Sequence, residues 1–186
     1  MGFTPKGFRV QPLGRKKIRK VAHEVIDLIG AVIGRDFASF PIVECIELMD
    51  EKGLLDFEVL DDLELGGVAA QVLRSQGAPK LQVQNSVYEE ACDNKSFGRF
   101  TLAHELGHFF LHSKQSIPLT REMNPKAGHE AYEDSEWQAN TFAAELLVDS
   151  RLLRDARILS VEEISKKFFV SKQTAKIQLK HSKCKN

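Results

Sequence analysis

The sequence predicts a mainly helical α+β fold with a small antiparallel sheet and a C-terminal helix-turn-helix-like pair. Three observations carry this. Long stretches repeat apolar residues with a helical period, a window from residue 54 to 87 breaks into short alternating runs, and capping signals mark several helix ends. The chain has 186 residues, 42% of them hydrophobic. That is enough for one good-sized core, and it divides into a main domain over 1–150 and a helical subdomain over 151–186 packed on it.

From Arg15 to Ile33, apolar residues fall at 18, 21, 22, 25, 26, 29, 32 and 33, and Gly34 is the stop. Ser39 is placed to cap a second helix from about Pro41 to Lys52, with Gly53 after it and Ile42, Ile46 and Met49 on one face. "FEVL", "GVAAQVL" and "KLQVQ" read as two or three short strands in an antiparallel meander. "DNKSFG" is a loop opening a helix from near Phe97 to His112. Residues 113–130 form an irregular link with an extended piece at "SIPLT". A further helix runs from near Tyr132 to Val148, and a shorter one begins at Asp149 or Ser150. Ser160 with Glu163 makes a capping box for a helix ending near Phe169, and "KQTAKIQLKH" is the last helix.

Net charge is zero but unevenly spread: residues 1–35 carry +6, residues 151–186 carry +7, and the middle carries −13. Two readings compete. Either the basic ends fold back on an acidic centre, or they contact nucleic acid. No secretory signal is visible. The apolar run "VIDLIGAVIG" is too short for a membrane span and contains Asp27. Cys45, Cys92 and Cys184 make an odd count without a CxxC, which fits free thiols in a reducing cytoplasm.

The chemistry concentrates in "TLAHELGHFFLH", residues 101–112. His104 and His108 are four apart, hence on one face of a helix. Two imidazoles so placed suit one Zn²⁺ ion, with manganese or another divalent ion as the alternative, and Glu105 beside them suits a general base. The bland alternative is a buried helix whose histidines are satisfied by hydrogen bonds. A third ligand is available in "EDSEWQANTFAAELL". Glu136 completes a His₂Glu set and leaves a fourth position for water and substrate. Asn140, one turn later, is placed to hold the outer nitrogen of a ligand histidine. Glu133 competes for the third position, while Glu145 points away. His112 reads as a supporting residue, and His23 and His129 as surface residues.

"GRFTLAHELGHFFLH", "EWQANTFAAELLV" and "SVEEISKKFFVSKQTAKIQL" resemble the ImmA/IrrE family of metallopeptidases, and "PIVECIELMDEKGLLDFEVL" is similar to that family's N-terminal part. The resemblance implies a zincin-like domain with one zinc ion on His104, His108 and Glu136, and Glu105 as catalytic base. It also implies a protein substrate, a helix-turn-helix repressor governing a mobile element, prophage or stress response. Unlike longer members, this chain is expected to lack a preceding helix-turn-helix domain and a large sensory domain. Tyr132, His129, Tyr88 and Arg121 are candidates for a transition-state donor. In the C-terminal pair, Lys172, Lys176 and Lys180 share one side, which allows weak DNA contact. The plainer reading is a cap on the catalytic domain with Ile164, Phe168, Ile177 and Leu179 as core. The rival to a peptidase is a non-cleaving regulatory protein, an anti-repressor, toxin-antitoxin component or DNA-binding module with a zinc site. Oligomeric state is left open.

Overall fold

The computed structural model describes residues 3–73, 77–112, 129–154 and 159–183. Helix α1 (Arg15–Ile33) buries Ile18, Ala22, Val25, Ile26 and Ile29, one stripe of the helical repeat. Gly34 ends it with φ 73° and donates its N–H to Gly30 O, a left-handed cap that suits glycine. Helix α2 (Ile42–Glu51) buries Ile42, Cys45, Ile46 and Met49. Ser39 does not cap α2. Its hydroxyl donates to Phe168 O and accepts from Arg99 instead, tying the α1–α2 connection to the C-terminal helices.

Strands β1 (Asp56–Leu60), β2 (Ala70–Leu73) and β3 (Lys80–Gln84) form a sheet in the order β1-β3-β2. β2 pairs antiparallel with β3, but β1 pairs parallel with it. The sheet is therefore mixed, which corrects the expected antiparallel meander. The best alternating pair, Leu81 and Val83, is fully buried and takes the central strand. The chain leaves β1, passes the C-terminal end of β3 through residues 61–69, where Asp62 accepts from Gln84 and Ser86, and enters β2 on the far side of β3. Such a link easily spans two strand spacings, about 10 Å.

Helix α3 (Asn85–Cys92) follows β3 directly and was not expected. Only Val87 and Ala91 are buried on it, a single i,i+4 pair too short to register as a period. What holds it is tertiary. At Gly98 a Cβ would lie 2.5 Å from both Val87 O and Ala91 N, so the next helix rests directly on the α3 backbone.

Helix α4 (Ser96–His112) is buried on most sides, among α2, α3, β2 and α5 (Ser135–Leu147). Asp134 caps α5, accepting from Trp137 N at 2.9 Å, after a 3-10 turn at Ala131–Glu133. Phe142, Leu146 and Leu147 are fully buried, and α1 packs on another side of α5. Helix α6 (Ser150–Arg154) leads to α7 (Val161–Phe168), whose Ser160–Glu163 capping box is present, and to α8 (Lys172–Lys183). Ile164 and Phe168 join the core, but Ile177 is 38% exposed. α8 instead turns Thr174, Ala175 and Gln178 inward. Consecutive helical residues differ by about 100°, so burying Gln178 swings Ile177 out. No helix of the described residues is long and apolar enough to cross a membrane. The "SIPLT" piece, Arg121 and Cys184 lie outside the described residues.

Candidate metal centre

α4 and α5 cross very closely. At Gly107 a Cβ would stand 2.9 Å from Ala139 Cα and 3.0 Å from Ala139 O, both backbone atoms. Only glycine permits that approach unless the helices shift apart. The crossing brings Glu136, one turn before Ala139, over the two histidines of α4. His104 Nε2 lies 3.2 Å from Glu136 Oε2, His108 Nε2 lies 3.2 Å from Glu136 Oε1, and the two Nε2 atoms are 3.0 Å apart. One ligand atom from each of the three residues lies within 4.8 Å of the other two.

Both imidazoles engage a partner at Nδ1. Asn140 Oδ1 is 3.2 Å from His104 Nδ1, and the Asn140 amide nitrogen donates to Glu136 O at 2.7 Å. His108 Nδ1 lies 3.2 Å from His112 Nδ1. The two Nε2 atoms and the carboxylate therefore face a common point, where either protons shared with Glu136 or a cation can sit. A tetrahedral ion bound at about 2.0–2.1 Å spaces its ligand atoms at about 3.3 Å, close to the spacing here, so the residues fit such an ion. Hydrogen bonds from His104 and His108 hold the Glu136 carboxyl well below the usual carboxylate range, even against the cost of burial.

Glu105 is buried beside this triangle. Burial pushes its carboxyl up, while His104, His108 and a backbone hydrogen bond from Val72 pull it down; burial prevails. The Val72 contact places β2 along the site. β2 is an edge strand, and Ala70, Gln71 and Val72 line a cleft of about 360 Å³ with Phe8, His104, Glu105, His108, Phe109 and Glu136. A larger cavity of about 780 Å³ lies between α1, the α1–α2 connection and the α5–α6 corner. It shares no residue with the triangle, and its Arg151 is already paired with Asp27 and Asp149.

The other candidates are occupied elsewhere. Glu133 pairs with Arg9 at 2.7 Å and accepts from Glu130 N. Glu145 is fully buried against Arg15 and Arg19. His129 and His23 are not free surface residues: His129 Nε2 is 3.0 Å from Asp134, and His23 is half-buried against Asp149 at 3.4 Å. Tyr88 donates to Glu47, and none of Tyr88, Tyr132 and His129 lines the cleft.

Three features escaped the sequence reading. Gln138, fully buried, contacts His112. The segment from Lys6 to Leu13 is laced to residues 132–135, with Lys6 N and Gly7 N each donating to Asp134 Oδ2 at 2.9 Å. Gly7 presses on α5, where a Cβ would collide with Ser135 Oγ and meet Glu136 N at 2.7 Å. Gly7 was the one local signal of that packing, and nothing in the sequence named its partner.

A family model for the IrrE N-terminal-like domain, Peptidase_M78, matches residues 68–180. The chain belongs to this family. The match runs from just before β2 into α8, so it includes the triangle, Glu105 and the edge strand; the N-terminal segment, α1, α2 and β1 lie before it. Among curated proteins and among solved structures, none matches the chain.

Proposed function

We propose that this chain of the IrrE-type metallopeptidase family is a zinc-dependent endopeptidase, with His104, His108 and Glu136 as metal ligands and Glu105 as general base. The observation that carries the reading is the cluster of two imidazole nitrogens, 3.0 Å apart, each 3.2 Å from one oxygen of the same Glu136 carboxylate, with a buried carboxylate next to it that is not part of it. A purely structural zinc site has four protein ligands and no use for that carboxylate. A divalent ion held there supplies Lewis acidity, which acidifies a water and polarises the scissile carbonyl.

The chain's own residues do the rest. Glu105, its carboxyl raised by burial, takes a proton from the attacking water and returns it to the departing amine. Val72 holds its carboxylate in place. The outer edge of β2, an edge strand among the described residues, offers backbone groups to an extended peptide, which adds as another strand beside the triangle. Asn140 orients His104. The substrate class, a helix-turn-helix repressor, rests on the family resemblance. A weak DNA contact through α7–α8 is a secondary reading, supported by exposed Lys166, Lys167 and Lys176, though Lys172 is paired with Glu162 at 3.2 Å.

The test is metal content and cleavage measured together. Wild type should hold about one zinc per chain, and His104→Ala and Glu136→Ala should lose most of it. Glu105→Gln should keep the metal but lose proteolysis of a susceptible repressor by at least about 10²-fold. Normal cleavage by Glu105→Gln sinks the mechanism, and a wild type that binds no zinc sinks the peptidase reading.

A further inference from the structure

We infer that Gln138 and His112 are positioning residues that fix the proton of His108, and that the docked N-terminal segment sets the direction of this relay. The inference rests on the metallopeptidase reading above.

The argument starts from backbone carbonyls. The Gln138 side-chain nitrogen lies 2.8 Å from Gln11 O and 2.7 Å from Tyr132 O. A carbonyl only accepts, so the atom between these two must be the amide NH₂. The buried amide cannot flip without setting its oxygen against both carbonyls. Its Oε1 therefore faces the other way, 3.1 Å from His112 Nε2. An amide oxygen also only accepts, so His112 Nε2 carries a hydrogen and donates it. In a neutral imidazole the other nitrogen is then bare. That bare Nδ1 lies 3.2 Å from His108 Nδ1, which must donate to it. When neutral, His108 is left with its lone pair on Nε2, the atom facing Glu136 and His104.

The two ligand histidines are thus governed differently. His104 takes its direction from Asn140, which is anchored to a carbonyl of its own helix. His108 takes its direction through two further side chains from Gln11, in the N-terminal segment, and Tyr132, in the 3-10 turn. Gln11 lies before the part of the chain that the family model matches. The same arrangement explains why His112 is not a ligand: Gln138 and His108 already engage its two ring nitrogens.

Ring ¹⁵N–¹H correlation spectra of the full-length protein test this, metal-free at pH 8 and zinc-loaded. Expected in both states are His112 protonated at Nε2 and His108 protonated at Nδ1. His112 found protonated at Nδ1, in a protein that binds zinc through His104 and Glu136, overturns the relay and leaves the peptidase reading standing. A protein that binds no zinc overturns both. A variant pair gives a second measurement: His112→Asn keeps an acceptor oxygen near the position of Nδ1, and His112→Phe keeps the shape without it. Zinc affinity, read by chelator competition, should stay close to wild type in His112→Asn and fall about 10–100-fold in His112→Phe. Equal affinities in the two variants overturn the relay.

Discussion

Two glutamates on neighbouring helices are pushed in opposite directions by their surroundings. Glu136 meets two imidazoles and is held low, whereas Glu105 meets mainly burial and is raised. That contrast suits a carboxylate that stays charged as a ligand and one that takes up a proton more readily. The same physics acts on a thiol away from the site. Cys45 is fully buried in α2, and burial pushes its thiol up to about 12. A thiol so raised stays protonated through the neutral and mildly alkaline range, so only about one in ten thousand is ionised at pH 8. Exposed Cys92 should therefore react with iodoacetamide in the native protein at pH 8 while Cys45 does not, and Cys45 should react only on unfolding. Peptide mapping after labelling checks this, and native modification of Cys45 would contradict the packing of α2.

Between elements, the decisive contact is the crossing of α4 on α5. The spacing of "HELGH" already put His104 and His108 on one face. That face becomes a site only because Gly107 lets the Ala139 backbone come within van der Waals contact. Gly107→Ala should cost about 1–3 kcal/mol of stability by overpacking, and should weaken zinc binding because Glu136 moves with α5. Denaturant titration and zinc competition on the same preparation check both. Wild-type zinc affinity in Gly107→Ala would show that the crossing does not set the ligand. The elements also show where sequence reading stopped. Helix α1 was legible because its apolar period runs over several turns, whereas α4 and α5, buried on most sides, were legible from their length and the loops that flank them. α3 was not, because its eight residues offer one buried pair. The parallel β1–β3 pairing was not, because alternation says which face is buried and nothing about which strand lies beside which.

Across the whole molecule the uneven charge is partly resolved by ion pairs. The basic N-terminal segment, residues 1–35, reaches the acidic middle through Arg9–Glu133 and through Arg15 and Arg19 on Glu145. This supports the reading that the basic N-terminal end folds back on the acidic centre. Glu145 is fully buried, and the two arginines are about one-fifth exposed. Glu145→Ala should therefore strand two guanidinium groups and cost about 3 kcal/mol, read by denaturant unfolding. Zinc affinity should change little, since Glu145 faces α1 rather than the triangle. A large loss of metal with intact stability would reverse that assignment.

The sequence by itself determined the chemistry on offer: two histidines one helical turn apart, a glutamate between them, and a second helix carrying Glu136 and Asn140 in register. Helical periodicity is local, so residues within about a turn of one another can be placed from spacing alone. It also left Glu133 open as a rival ligand, and it placed His23 and His129 on the surface. Only the tertiary structure decided these. Arg9 takes up Glu133, and Asp149 and Asp134 take up the two histidines. Gln11 and Tyr132 orient Gln138 and, through His112, bear on His108. Each of these contacts except His129–Asp134 and Tyr132–Gln138 joins residues more than twenty positions apart or depends on one that does. Partners at that separation leave no periodic trace, because hydrogen-bond direction is set by which carbonyl the fold happens to bring alongside.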